Sequence, residues 1–133
     1  MIKKINHIGI AVQSLGLSAE IFSKLFGIQA PHTEVVPQQQ ATISFFPVGE
    51  SSLELIASDS AGSAITKFIQ KRGEGIHHIC LEVTGLTEEI ARLKKHGFVF
   101  VNDVPTEGGE GYNVVFIHPK SANGVLIELC EKQ

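Results

Sequence analysis

The chain has little cysteine, no excess of positive charge and no long apolar run. Cys80 and Cys130 are the two cysteines among 133 residues, and they are spaced neither as a disulfide framework nor as a zinc motif. Each sits inside an apolar, strand-like run and reads as a small buried thiol. Lys and Arg number 11 against 14 Asp and Glu, for a net charge of −3. That balance lacks the basic excess with which nucleic-acid binders neutralise phosphates, so no nucleic-acid partner is expected. The longest apolar runs are strand-sized, which excludes a membrane span from the reading. Met1-Ile2-Lys3-Lys4 leads straight into polar Asn6 and His7 with no stretch apolar enough for a secretory signal, and a cytoplasmic protein is expected.

What is present is an ordinary globular mixture, 43% hydrophobic and 19% charged. The length suits one compact domain, or one domain assembled from two similar halves. Sliding the chain along itself favours the second description. Shifted by 71 residues, Ile5-Asn6-His7-Ile8 falls on Ile76-His77-His78-Ile79, Val12 on Val83, Leu15 on Leu86 and Phe45 on Phe116. Gly27 meets Gly97 after one residue is dropped. Leu53-Glu54-Leu55 meets Ile127-Glu128-Leu129 at a shift of 74, the extra residues being absorbed by the loop 119–124.

Each half reads as strand, helix, then three strands. Residues 5–12 alternate apolar Ile8, Ile10 and Val12 with His7, Gly9 and Ala11, as a strand with two unlike faces does. Leu17, Ile21 and Leu25, with Phe22, keep helical spacing, and Gly27 supplies a stop. In the second half Thr87 is the expected cap of a helix with Glu88 and Glu89 in its first turn, Ile90 and Leu93 buried, and an end at Gly97. Strands are expected near 40–48 and 52–58, then near 98–104, 112–118 and 124–130. Ile65, Phe68 and Ile69 before Gly73 predict a short linking helix. The expected class is α+β: two tandem βαβββ modules, about 1–60 and about 74–133, joined by a helix about 61–73. Together they would form a curved mixed sheet around a metal-binding cup in one domain.

Parity separates the two adjacent histidines. His77 shares a strand face with Ile79, Leu81 and Val83, the set expected beneath a helix, while His78 shares the other with Cys80 and Glu82. His78 is also the repeat partner of His7. Glu54 lies between Leu53 and Leu55, and Glu128 between Ile127 and Leu129, so both carboxylates take the face opposite the packed residues. Taken singly, each of the four reads as a hydrogen-bonded strand histidine or a solvated glutamate. Together, at repeat-related positions on one face, His7, Glu54, His78 and Glu128 form a candidate metal site. Two imidazoles and two carboxylates suit a divalent first-row ion; zinc, cobalt, nickel, manganese and ferrous iron all remain open. His32, His96 and His118 have no histidine repeat partner, and His96 before Gly97 suits a helix C-terminus. Gly108, Gly109 and Gly111 do not open a helix and read as a loop.

His7-Ile8-Gly9-Ile10-Ala11-Val12, Gly75-Ile76-His77-His78-Ile79-Cys80, and His118-Pro119-Lys120 followed by Gly124-Val125-Leu126-Ile127-Glu128-Leu129 resemble the methylmalonyl-CoA epimerase family. That family belongs to the vicinal-oxygen-chelate superfamily, with glyoxalase I, certain dioxygenases and antibiotic-resistance proteins. The resemblance spans nearly the whole chain and implies the same ligands, His7, Glu54, His78 and Glu128. It also implies a homodimer and a small acyl-thioester substrate, epimerised through a metal-stabilised enolate. Glu128 is then the leading base, directly or through bound water, and Glu54 the candidate on the other face. The alternatives are a glyoxalase I-like isomerase acting on a glutathione hemithioacetal, and a non-catalytic small-molecule binding protein of the same fold. Two departures stand out: Thr42 falls where some epimerases carry a third-strand carboxylate, with Ser44 two residues on, and Tyr112 follows Gly111 where a small or basic residue is usual.

Overall fold

The computed structural model describes all 133 residues and shows an α+β protein of eight strands and three helices. The strands are β1 (Ile2–Ala11), β2 (His32–Val36), β3 (Ala41–Val48), β4 (Ser51–Ala57), β5 (Gly75–Val83), β6 (Phe100–Glu107), β7 (Tyr112–Ile117) and β8 (Ile127–Lys132). The helices are α1 (Leu15–Phe26), α2 (Ala64–Arg72) and α3 (Leu86–Lys95). The expected order of strand, helix and three strands is present twice, with α2 between. Strand β2, which the pattern of residues 28–39 leaves unlocated, completes the first set. No helix is long and apolar enough to cross a membrane.

The chain forms two compact units. One is Ile8–His77; the other joins Met1–His7 to His78–Gln133. Strands β1 and β5 therefore each contribute to both.

In the unit Ile8–His77 the strands lie in the order β2-β3-β4-β1, with β3 antiparallel to both β2 and β4. One face carries Val12, Phe46 and Leu55 and is covered by Leu15, Ala19, Phe22 and Phe26 of α1. Ser14 caps that helix by accepting from the Leu17 N–H at 3.2 Å, and Gly27 ends it at a φ of 69°, a left-handed conformation that glycine takes without Cβ strain. Full burial of Phe46 alone contributes about 1.5–3 kcal/mol. Leu17, Ile21 and Leu25, the residues that announce the helix by their spacing, point outward and are 64–72% exposed. The opposite face of the strands carries Ala11, Ile43, Phe45 and Ile56 beneath Ile65, Phe68 and Ile69 of α2, the linking helix that those three residues predict.

In the second unit the order is β5-β8-β7-β6, with β5 and β8 parallel and the other pairs antiparallel. Helix α3 packs Ile90 and Leu93 onto Val83, Val115, Ile117 and Leu129. Its N-terminus differs from expectation. Thr87 lies inside the helix, the cap position is Gly85 at a φ of 73°, and no side chain of the helix caps it. Glu131 of β8 does so instead, accepting from the Gly85 N–H at 2.5 Å and the Leu86 N–H at 3.0 Å. A carboxylate there satisfies two otherwise unpaired donors and sits at the positive end of the helix dipole. His96 is the C-terminal cap residue of α3, as its position implies. Gly109–Gly111 form a single tight turn between β6 and β7, not a phosphate loop.

Candidate functional site

Strand alternation in the second unit places His78, Cys80 and Glu82 of β5 on the face opposite α3. Pairing with β8 sets Cys80 beside Glu128 and Glu82 beside Cys130, while pairing with β7 sets Phe116 beside Glu128. His7, near the middle of β1, belongs to the same unit. Its ring stands edge-on to His78 at 5.1 Å, and the His78 ring stands edge-on to Phe116 at 5.7 Å. All three polar side chains are buried.

Their donor atoms converge. His7 Nε2 lies 3.0 Å from His78 Nε2, and Glu128 Oε1 lies 3.0 Å from His7 Nε2 and 3.1 Å from His78 Nε2. The approach of Glu128 to the rings is close but off the hydrogen-bonding direction, which leaves Oε1 buried without a hydrogen-bond partner. An unsatisfied buried carboxylate oxygen is costly, by about 1–3 kcal/mol or more when charged. Burial pushes the Glu128 carboxyl towards its neutral form, but the two imidazoles facing it outweigh burial and hold its pKa below the usual carboxylate range.

These residues fit a divalent cation. With metal–ligand bonds of about 2.1 Å, neighbouring donors around an octahedral ion are about 3.0 Å apart, the spacing of the three atoms here. A cation among them would also satisfy the orphaned oxygen. Cys80 places its sulfur within 4.8 Å of donor atoms of His7 and Glu128. Burial, then contact with Cys130, pushes the Cys80 thiol far up, so without a bound ion it is neutral.

Glu54, the remaining ligand candidate, is in β4 of the unit Ile8–His77. It is buried, faces away from Leu53 and Leu55 as its parity predicts, pairs with Phe45 across the sheet, and accepts from the Ser52 hydroxyl at 3.2 Å. His77 takes no place beside His78: its ring packs edge-on against Phe68 of α2 at 4.8 Å. His32 lies 3.7 Å from Glu34, and His118 accepts from the Lys120 N–H at 3.1 Å.

Thr42 requires a correction. Phe45 pairs with Glu54 and Ile43 with Ile56, whereas Thr42 pairs with Ala57 and Ser44 with Leu55. Directly opposed residues share a face, so Thr42 and Ser44 are on the α1 side, away from Glu54. Thr42 lines a small cavity of about 160 Å³ with Leu15, Ala57, Ser58 and Asp59. Ile43, not Thr42, is the β3 residue that shares the Glu54 face.

A polar group behind His7 carries no signal in the sequence. Asn6 Oδ1 lies 2.7 Å from His7 Nδ1, and Asn6 Nδ2 donates to Glu82 Oε1 at 2.9 Å. Glu82 further accepts from the Tyr112 hydroxyl at 3.1 Å and from Lys3 Nζ at 3.3 Å. The partners are far apart along the chain, which is why no local pattern marks them.

Residues 6–116 match the Glyoxalase/Bleomycin resistance protein/Dioxygenase superfamily. The ethylmalonyl-CoA/methylmalonyl-CoA epimerase of Cereibacter sphaeroides is 35% identical over 97% of this chain and 98% of its own. A methylmalonyl-CoA epimerase variant of Streptomyces coelicolor, solved in complex with 2-nitronate-propionyl-CoA, is 30% identical with a TM-score of 0.91, covering 99% of this chain and 96% of that one. A hypothetical protein of Bacillus halodurans is 44% identical with a TM-score of 0.92, covering 98% and 94%. With this likeness along its whole length and the paired βαβββ architecture, the chain belongs to the methylmalonyl-CoA epimerase family of the glyoxalase superfamily and is an epimerase-like enzyme.

Proposed function

We propose that this protein is a metal-dependent isomerase that interconverts the epimers of methylmalonyl-CoA, or a close acyl-CoA analogue, through an enolate. The observation that carries the reading is the convergence of His7 Nε2, His78 Nε2 and Glu128 Oε1 within 3.0–3.1 Å around a buried oxygen that lacks a hydrogen bond. The Streptomyces relative's ligand adds support. A nitronate is planar at the carbon that bears it, as the enolate of a malonyl thioester is.

Removing a proton next to a thioester is hard for a carboxylate alone, whose ordinary pKa is about 4.3. A cation held by His7, His78 and Glu128, with Glu54 as fourth ligand, would supply Lewis-acid stabilisation of the developing oxyanion by several kcal/mol. Glu128, whose carboxyl the two facing imidazoles hold below the usual range, is our leading proton acceptor, directly or through a water; Glu54 is its repeat-related counterpart for the opposite face of the carbon. Buried surroundings exclude bulk water from these carboxylates and keep the exchanged proton local.

The assay that tests the proposal offers each epimer of methylmalonyl-CoA to protein loaded with Co, Zn, Ni, Mn or Fe in turn. Interconversion is expected with at least one ion, and none after chelation. Inactivity towards the acyl-CoA together with isomerisation of a glutathione hemithioacetal would replace the reading with a glyoxalase I-like one; inactivity towards both would leave a binding protein.

Thr42→Ala is expected to keep turnover within about threefold of wild type. Loss of a positioned acid or base costs about 10²–10⁴-fold, and Thr42 faces α1, away from Glu54. A collapse of turnover with fold and metal content intact would contradict this.

We further propose a cytoplasmic homodimer. The exposed stripe Leu17, Ile21 and Leu25 on α1 offers the apolar surface that a second copy would cover.

A further inference from the structure

Most of the strand positions around Glu128 are sealed. Its β5 partner Cys80 and the next residue but one along β8, Cys130, are 0% and 1% exposed and pack with buried Val114. Its β7 partner is Phe116, and that side chain is only partly buried. Directly opposed residues on antiparallel strands start their side chains about 4.5–5.5 Å apart on the same face, so the Phe116 ring borders Glu128. The ring also stands at 86° to that of His78, with 5.7 Å between their centroids. Of the two residues paired with Glu128, Phe116 is therefore the one that offers apolar surface beside the converged donors.

The internal repeat supplies a comparison. In the unit Ile8–His77, Phe45 is the antiparallel partner of Glu54, as Phe116 is of Glu128. Phe45 is 6% exposed, belongs to the core beneath α2 and has the His32 ring 5.3 Å away, tilted by 31°. Two phenylalanines at repeat-related positions thus have different fates: one is built into a core, and the other keeps part of its surface next to a polar cluster. Apolar surface of that kind receives the hydrocarbon part of a ligand whose polar part is held by a few convergent polar groups.

We propose that the Phe116 ring is the wall against which the alkyl substituent of the reacting carbon packs, and that it limits the size of that substituent. The position of the carbon, against His7, His78 and Glu128, rests on the isomerase reading. Two of the carbon's bonds lead to carbonyl groups and one to hydrogen in every substrate of this class, so the alkyl group is the part that varies. Imidazoles and a carboxylate give it no apolar contact, and Cys80 and Cys130 are closed off, which leaves Phe116. Whichever group moves the proton, the wall acts on chain length alone.

The test compares methylmalonyl-CoA with its propylmalonyl homologue as substrates of the metal-loaded enzyme. One methylene more or less in an apolar pocket changes kcat/KM by about 10–200-fold, so Phe116→Ala is expected to raise the propyl-to-methyl ratio of kcat/KM by at least about 10-fold. Phe116→Leu should shift it in the same direction by less, and Phe45→Leu should leave it as in wild type. A merely loosened His78 would slow both homologues alike and leave the ratio unmoved. Affinities for 2-nitronate-propionyl-CoA and 2-nitronate-pentanoyl-CoA, measured by calorimetry, give the corresponding ratio without turnover. An unchanged ratio in folded Phe116→Ala would overturn the proposal, as would an unchanged ratio in Phe116→Leu should the alanine variant not fold, or an equal shift in Phe45→Leu. A protein that epimerises neither thioester yet shows the shift in binding would keep the wall and lose the isomerase reading; one that neither binds nor turns over any of these compounds would lose both.

Discussion

Replacing His78 by alanine is expected to abolish the proposed metal binding and epimerase activity, while His77→Ala keeps both. The two residues are neighbours in one strand, and alternation sends their side chains to opposite faces. His78 Nε2 lies 3.0 Å from His7 Nε2 and 3.1 Å from Glu128 Oε1, so its loss removes one of three converging donors. The affinity lost should exceed the 10–100-fold that removal of an outer hydrogen-bond partner costs. His77 instead makes an edge-on contact with Phe68 at 4.8 Å. Truncating it should cost stability by about 0.5–1.5 kcal/mol for the ring pair plus its buried area, and leave the metal in place. Elemental analysis of both variants after equal loading, with circular dichroism to verify folding, decides the matter. Equal metal loss in the two would break the parity argument; full retention in His78→Ala would remove the proposed site.

The second large effect concerns the proton. In deuterated water the active enzyme is expected to place solvent deuterium on the carbon between the two carbonyl groups of methylmalonyl-CoA as it interconverts the epimers. A proton taken by a carboxylate exchanges with solvent, and its replacement on the other face comes from that pool. Glu128→Gln is expected to abolish this exchange, a loss of at least the 10²–10⁴-fold that a positioned base contributes. Glutamine still offers an amide oxygen to a cation but accepts no proton at neutral pH, so the substitution separates holding the metal from moving the proton. It also leaves packing against Cys80 and Phe116 nearly unchanged, since the two side chains differ by one atom type. Metal retained with exchange lost assigns the base to Glu128. Metal retained with exchange unimpaired moves the role to Glu54 or to a bound hydroxide.

Both experiments depend on which face of a strand a residue occupies, and that much is written locally. Successive side chains in a strand alternate, so His78 and His77, or Glu128 and its neighbours Ile127 and Leu129, are assigned to opposite sides by sequence order alone, and the structure places them so. The repeat carried the architecture for the same reason: two copies of one pattern must fold alike, and both sets of strand, helix and three strands are present.

Where two local patterns compete, or where the partner is distant, the sequence is silent and packing decides. Helix α1 has two apolar stripes. Leu17, Ile21 and Leu25 are spaced as regularly as Leu15, Ala19, Phe22 and Phe26, and only docking on Phe46 and Leu55 buries the second stripe and leaves the first in solvent. Strand β3 is apolar on both sides, so the face of Thr42 follows from its register against Ala57, a pairing made across the sheet and not along the chain. The cap of α3 is the carboxylate of Glu131, some 45 residues from the donors it satisfies. Asn6 and Glu82 meet across 76 residues. A side chain's face is a property of the backbone period and can be counted; its hydrogen-bond partner is a property of three-dimensional neighbourhood and cannot. The sequence by itself therefore determined the class of fold and the identity of His7, His78 and Glu128 as candidates. Tertiary structure alone decided that their donor atoms meet around an unsatisfied oxygen, and which nitrogen of His7 faces it.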